Sequence, residues 1–154
     1  MNHGKEAAEL FCGGYNCAQA VTVAFCDVTG LTRDQAARLS SGFGGGLGRQ
    51  REVCGAVSGM VLVLDLLYGY SEPGNDTLKA EHYKTVQALC GAFRDRAGSI
   101  ICRELLGNPP SDPIPTPRTP EFYKTRPCAR MVALAAEILE EYILRREGGH
   151  ADTH

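Results

Sequence analysis

The chain lacks an excess of charge of either sign: sixteen Lys and Arg stand against eighteen Asp and Glu, for a net charge of -2. Without a basic field, nucleic acid and anionic lipid are not expected as partners. No export signal is expected, because Met1-Asn2-His3-Gly4-Lys5-Glu6 is charged and runs into Ala7-Ala8-Glu9 with no apolar core. The expectation is a cytoplasmic, reducing compartment. No C-x-x-C occurs, which excludes a thioredoxin-like motif. Strand-like alternation is all but absent and no internal repeat is visible. The longest apolar stretch, Val53 to Tyr70, holds Asp65 together with Gly55, Ala56, Ser58, Gly59 and Gly69, and so predicts a buried central helix rather than a membrane span.

Cysteine, by contrast, is plentiful, at seven in 154 residues. The number is odd, and a chain with 44% hydrophobic residues buries an ordinary core without cross-links. In a reducing compartment such cysteines point to catalysis, redox work or metal binding rather than to structural staples.

The pattern predicts an all-α single domain over residues 1–147, a bundle of five or six helices around a central apolar helix at about 49–70. Residues 148–154, with His150 and His154, read as a flexible tail. Asn16 caps a helix to Val28 whose inward stripe is Cys17, Ala20, Val21, Ala24, Phe25 and Val28, leaving Cys26 on the opposite face. Thr32 and Gln35 form a capping box for a helix through Leu39. Five glycines fall within residues 42–48. Asn75 or Asp76 caps a helix to Ala97 with Tyr83, Val86, Leu89, Cys90 and Phe93 on one side, and Ser99 caps Ile100 to Leu106. Six prolines make Gly107 to Pro120 an extended connection. Pro127 opens the last helix, with Cys128 next and Met131, Val132, Ala135, Ile138, Leu139, Tyr142 and Ile143 on its inner face.

Cys17, Cys54, Cys102 and Cys128 thus sit at or near helix starts, where unpaired N–H groups and the helix dipole favour a thiolate. Cys102 and Cys128 meet this condition best, Cys17 meets it if Asn16 is the cap, and Cys54 lies about one and a half turns inside. Arg49, Arg103 and Arg130 are nearby cations. Cys90 reads as core, while Cys12 and Cys26 carry less weight. Gly44, Gly45 and Gly46 followed by Arg49 make either an anion-binding nest for a cofactor or a tight turn, and match no nucleotide motif. Gly55 and Gly59 predict close helix packing. Asp65 is too far along its helix to serve Cys54 and should pair with another helix, Tyr15 is a polar neighbour of Cys17, and His82 reads as a boundary residue.

Tyr15-Asn16-Cys17-Ala18-Gln19-Ala20-Val21, Gly42 to Arg49, Cys54-Gly55-Ala56-Val57-Ser58-Gly59 and then lone Cys102 and Cys128 resemble, over about residues 10–145, the redox-active family named for its C-GCAxxG-C-C pattern. The resemblance maps the four family cysteines onto Cys17, Cys54, Cys102 and Cys128 and implies a small helical redox protein. Two chemistries follow for that quartet. In thiol–disulfide exchange Cys128 attacks and Cys102 or Cys17 resolves. In a metal protein the same four thiolates hold zinc or an iron–sulfur cluster, although the short paired spacing of zinc ribbons and ferredoxins is missing. A third reading is a cysteine-based redox sensor or interaction module. The redox partner is not named by the sequence, and the apolar central helix leaves room for a homodimer.

Overall fold

Polar side chains open several of the helices. Asn2 accepts from Lys5 N–H, Asn16 from Gln19 N–H, Thr32 from Gln35 N–H, Asn75 from Leu78 N–H and Thr119 from Phe122 N–H. The structure, a computed structural model, describes residues 2–152, with side-chain burial given through residue 148. In chain order the elements are α1 (His3–Cys12), α2 (Cys17–Ala24), α3 (Cys26–Thr29), α4 (Arg33–Ser40), a 3-10 turn (Ser41–Phe43), α5 (Gly44–Leu47), α6 (Gly55–Tyr68), α7 (Asp76–Ala97), α8 (Cys102–Leu106), α9 (Pro120–Thr125) and α10 (Cys128–Asp152). Extended pairing among the described residues amounts to one antiparallel bridge, Val53 to Ile101. The all-α class stands. No helix among these residues is long and apolar enough to cross a membrane.

The core lies where α2, α6 and α10 meet. Ala20, Val21 and Ala24 pack with Val57, Met60, Val63 and Leu64 and with Val132, Ala135, Ala136 and Leu139, and α1 adds Ala7 and Phe11. Burying each of the larger of these side chains contributes roughly 1.5–3 kcal/mol. The N-terminal α1 is fastened to α10: His3 N–H donates to Glu140 Oε1 at 2.9 Å, and the His3 ring stacks on Phe25 at 4.1 Å with Nε2 3.0 Å from Asp27 Oδ1.

Several boundaries depart from the sequence expectation. The helix expected from Asn16 to Val28 breaks at Phe25 (φ -101, ψ 16), the residue that carries the His3 stack, and resumes as α3. Its central counterpart starts at Gly55, not Arg49. Helices α1 and α9 are additions. Asp65 is exposed and pairs with His82 Nε2 of α7 at 2.6 Å. Helix α10 continues past Gly148, where a tail is expected, to Asp152. The side chains of His150 and His154 lie outside the described residues.

Two small residues let α2 lie directly on α6. A Cβ built on Gly55 meets Phe43 O at 3.0 Å and Cys17 Cβ at 3.2 Å, and one on Gly59 meets Ala18 O at 2.8 Å and Val21 Cβ at 3.0 Å. Since the neighbours of Gly59 are backbone and a stiff β-branched side chain, they cannot yield cheaply. Gly59→Ala is therefore expected to lower unfolding free energy by about 1–3 kcal/mol, as overpacking does. Gly91→Ala in α7, where nothing lies within 4 Å, is expected to raise it by up to about 1 kcal/mol through helix propensity. Urea titration of the two variants checks the opposite signs.

Candidate functional site

The glycine-rich segment turns left-handed repeatedly. Gly45, Gly46 and Gly48 have φ of 67°, 74° and 59°, and so do the non-glycine residues Leu47 (70°), Arg49 (67°) and Arg51 (63°). No α-helix can begin at Arg49 with that backbone. The N–H groups of Gly48, Arg49, Arg51 and Glu52 donate back to the carbonyls of Gly42, Gly44, Gly45 and Gly46, so the loop is a self-bonded turn. Extended residues follow, with Cys54 N–H donating to Ile100 O at 2.7 Å, Cys102 N–H to Glu52 O at 2.6 Å and Arg103 N–H to Arg51 O at 3.2 Å. Side chains alternate along such a ribbon, so Cys54 and Cys102, each one residue past the Val53–Ile101 bridge, share a face. Cys54 is the N-cap of α6, where the sequence suggests a place about one and a half turns inside, and Cys102 is the first residue of α8, where the sequence suggests the third.

Across from this ribbon stand Cys17, first in α2, and Cys128, first in α10. All four cysteines line one cavity of about 30 Å³, together with Arg51, Gly46 and Met131. That volume suits a water-sized molecule. Above it opens a cleft of about 400 Å³ in which Cys17 and Cys128 are joined by Arg49, Arg51, Arg118 and Arg126. Gly44 and Gly45 edge the cleft, and Gly46 presses on the inner cavity, where a Cβ built on it meets Cys102 Cβ at 2.8 Å. Arg49 donates to Asp112 O at 2.7 Å and Thr116 Oγ1 at 2.8 Å, and Arg51 Nε donates to Pro110 O at 2.9 Å, which ties the proline-rich connection over the site.

All seven cysteines are free thiols, and Cys12, Cys26 and Cys90 lie outside the shared cavity. Among the described residues no group of three or more His, Cys, Asp or Glu side chains is arranged to hold a metal ion. The four cysteines adjoin one cavity without being arranged as a ligand set.

Residues 15–142 match the family described as "Putative redox-active protein (C_GCAxxG_C_C)". The chain belongs to the C_GCAxxG_C_C family. All four cavity cysteines fall inside the matched span, and a general redox role comes with membership. No curated protein and no solved structure matches the chain.

Within this C_GCAxxG_C_C protein the four thiols are not electrostatically equivalent. The Cys17 thiol hydrogen-bonds to Cys128, and that bond, opposed by burial and assisted by the positive charges of Arg126, Arg118 and Arg51, lowers the Cys128 thiol to about 7. The same hydrogen bond, together with burial and the neighbouring thiols, holds Cys17 well above the ordinary thiol value. Burial pushes Cys54 up to about 12, despite hydrogen bonds from the N–H groups of Ala56 and Val57 at the start of α6. A helix N-terminus therefore acidifies a thiol only where desolvation does not outweigh it. Cys102 accepts a long hydrogen bond from Arg51 Nη1 at 3.7 Å.

The cations that act on Cys128 are not the ones expected. Arg103 pairs with Glu52 at 2.5 Å and Arg130 is exposed, whereas Arg51, Arg118 and Arg126 carry the effect. Arg126 is absent from the sequence expectation, although it stands only two residues before Cys128. Arg118 sits in the proline-rich connection, remote in sequence from every cysteine, and only the folded chain brings it close. Tyr15 serves the site through its backbone, its carbonyl accepting from Arg118 Nη2 at 2.9 Å.

Proposed function

We propose that this C_GCAxxG_C_C protein carries out thiol–disulfide exchange through Cys128 and Cys17. The observation that supports it most is that Cys17 and Cys128, at the starts of α2 and α10, share both the inner cavity and the arginine-bordered cleft, with the Cys128 thiol held low there. Cys128 Sγ, as thiolate, attacks one sulfur of a substrate disulfide; the Cys128–substrate bond forms as the substrate S–S bond breaks, and a first thiolate leaves. Cys17 then gives up its proton and attacks Cys128 Sγ, which forms a Cys17–Cys128 disulfide and expels the second thiolate. Two electrons pass from the protein to the substrate. A thiol near 7 suits the attacking role, because nucleophiles of this kind work best close to ambient pH. Cys54, protonated at neutral pH and buried, stays out of the exchange. A thiolate site for zinc or an iron–sulfur cluster is the second reading, favoured by the four cysteines on one cavity.

Anaerobic purification followed by metal analysis and thiol titration separates the two. Exchange predicts metal-free protein that loses two of its seven thiols reversibly on mild oxidation, with the loss abolished in Cys17→Ser and Cys128→Ser and kept in Cys54→Ser. Stoichiometric iron or zinc whose retention depends on all four cavity cysteines would contradict it.

A further inference from the structure

Four guanidinium groups border the cleft over Cys17 and Cys128, and no carboxylate lines it. They are not equally committed. Arg118 donates to Phe11 O at 2.8 Å and Tyr15 O at 2.9 Å and lies over the Phe11 ring at 4.3 Å, which makes it a structural clamp. Arg49 is held by Asp112 O and Thr116 Oγ1. Arg51 is different. It is only 4% exposed, donates through Nε to Pro110 O and through Nη1 toward Cys102 Sγ, and leaves Nη2 buried with no hydrogen-bond partner. Arg126 lies over the Phe122 ring at 5.2 Å and forms no ion pair among the described residues.

A buried cationic donor left unmade is expensive, and proteins keep one where a bound group supplies the acceptor. Guanidinium forks match carboxylates in shape and charge. The cleft's volume, about 400 Å³, is that of a small-molecule site. We infer that the cleft selects small carboxylate-bearing disulfides, their acidic groups held by Arg51 and Arg126 while the sulfur–sulfur bond lies against Cys128. This rests on the exchange reading above and names the substrate class for it. The reaction balances without a further reagent: the acidic disulfide takes two electrons and departs as two thiols, the protein dithiol becomes the Cys17–Cys128 disulfide, and the protons given up by Cys128 and Cys17 are taken by the two leaving thiolates.

Three disulfide probes of similar size test the charge preference on the reduced full-length protein: 3,3′-dithiodipropionate (dianionic), bis(2-hydroxyethyl) disulfide (neutral) and cystamine (dicationic). Loss of the Cys17 and Cys128 thiols is followed for each and normalised to the probe's rate with a free small thiol, which removes leaving-group differences. The dianion is expected to outpace the neutral probe by about tenfold or more, the dication to be slowest, and the spread to shrink as salt is raised. Arg126→Gln and Arg51→Gln should each reduce the dianion rate by clearly more than the neutral rate, the neutral loss reporting the raised Cys128 midpoint and the excess reporting the lost carboxylate contact. If Arg51→Gln does not fold, the wild-type salt series and Arg126→Gln still decide. Equal normalised rates for the three probes overturn the inference and leave the exchange reading standing. No loss of the Cys17 and Cys128 thiols with any probe overturns both.

Discussion

Cys17→Ala is expected to move the pH midpoint of Cys128 alkylation upward, from about 7 into or above the usual thiol range near 8.5. The Cys17 hydrogen bond is the largest influence holding Cys128 down, and without it the three arginines face the burial penalty alone. The direction is fixed by which form is stabilised. A bond donated to the thiolate favours the deprotonated form, so its loss leaves Cys128 a thiol at neutral pH. Half of Cys128 is thiolate at pH 7 with a midpoint there, against a few per cent with a midpoint near 8.5, so alkylation at pH 7 should slow by roughly fifteenfold. Timed iodoacetamide labelling read by peptide mass across pH 5–10, a range of about the usual thiol values, checks it. Arg126→Gln should shift the midpoint the same way by less, since Arg126 is a lesser influence than Cys17. An unchanged midpoint in Cys17→Ala would mean that the arginines alone set the acidity.

Gly46→Ala should be strongly damaging. Its φ of 74° lies in the left-handed region, which costs an L-residue about 1–2 kcal/mol. The added Cβ would also stand 2.6 Å from Glu52 N, 2.8 Å from Arg51 Cα and 2.8 Å from Cys102 Cβ, and overpacking of that kind costs about 1–3 kcal/mol more. The expected loss of unfolding free energy is about 2–5 kcal/mol. Gly48→Ala is the control, with the same sign of φ (59°) and nothing within 4 Å, and should lose only the conformational part. Denaturant titration gives both numbers, and a loss in Gly46→Ala no larger than in Gly48→Ala would show that the turn does not press on the cavity wall.

What could be read from the sequence was whatever is decided locally. Helix α7 runs from its Asn75 cap to a left-handed Gly98, as the capping residue, the apolar stripe and the terminal glycine predict. Gly55 and Gly59 mark the close approach of α2 to α6 for a similar reason, since the spacing alone puts both on one helix side. Convergence of the four cysteines was legible from motif order, not from any one spacing. The start of α6 was not legible. Arg49 and Arg51 adopt left-handed φ in the service of a turn and a ribbon pairing with residues 100–103, far along the chain. Helix α1 escaped notice because it buries little apolar surface of its own beyond Ala7 and Phe11 and is held through His3 by α10 and α3. The arginines of the cleft come from the glycine turn, the proline-rich connection and the residue before Pro127, and nothing in those local patterns announces a shared target.

Mild oxidation of the reduced protein, followed by quenching, proteolysis and mass mapping of cross-linked peptides, addresses the Cys17–Cys128 pair most directly. A single intramolecular link between the peptides of Cys17 and Cys128, formed before any other, is the predicted result. First formation of a Cys54–Cys102 link, whose partners share one face of the extended ribbon, or no link between any of the four, would contradict it.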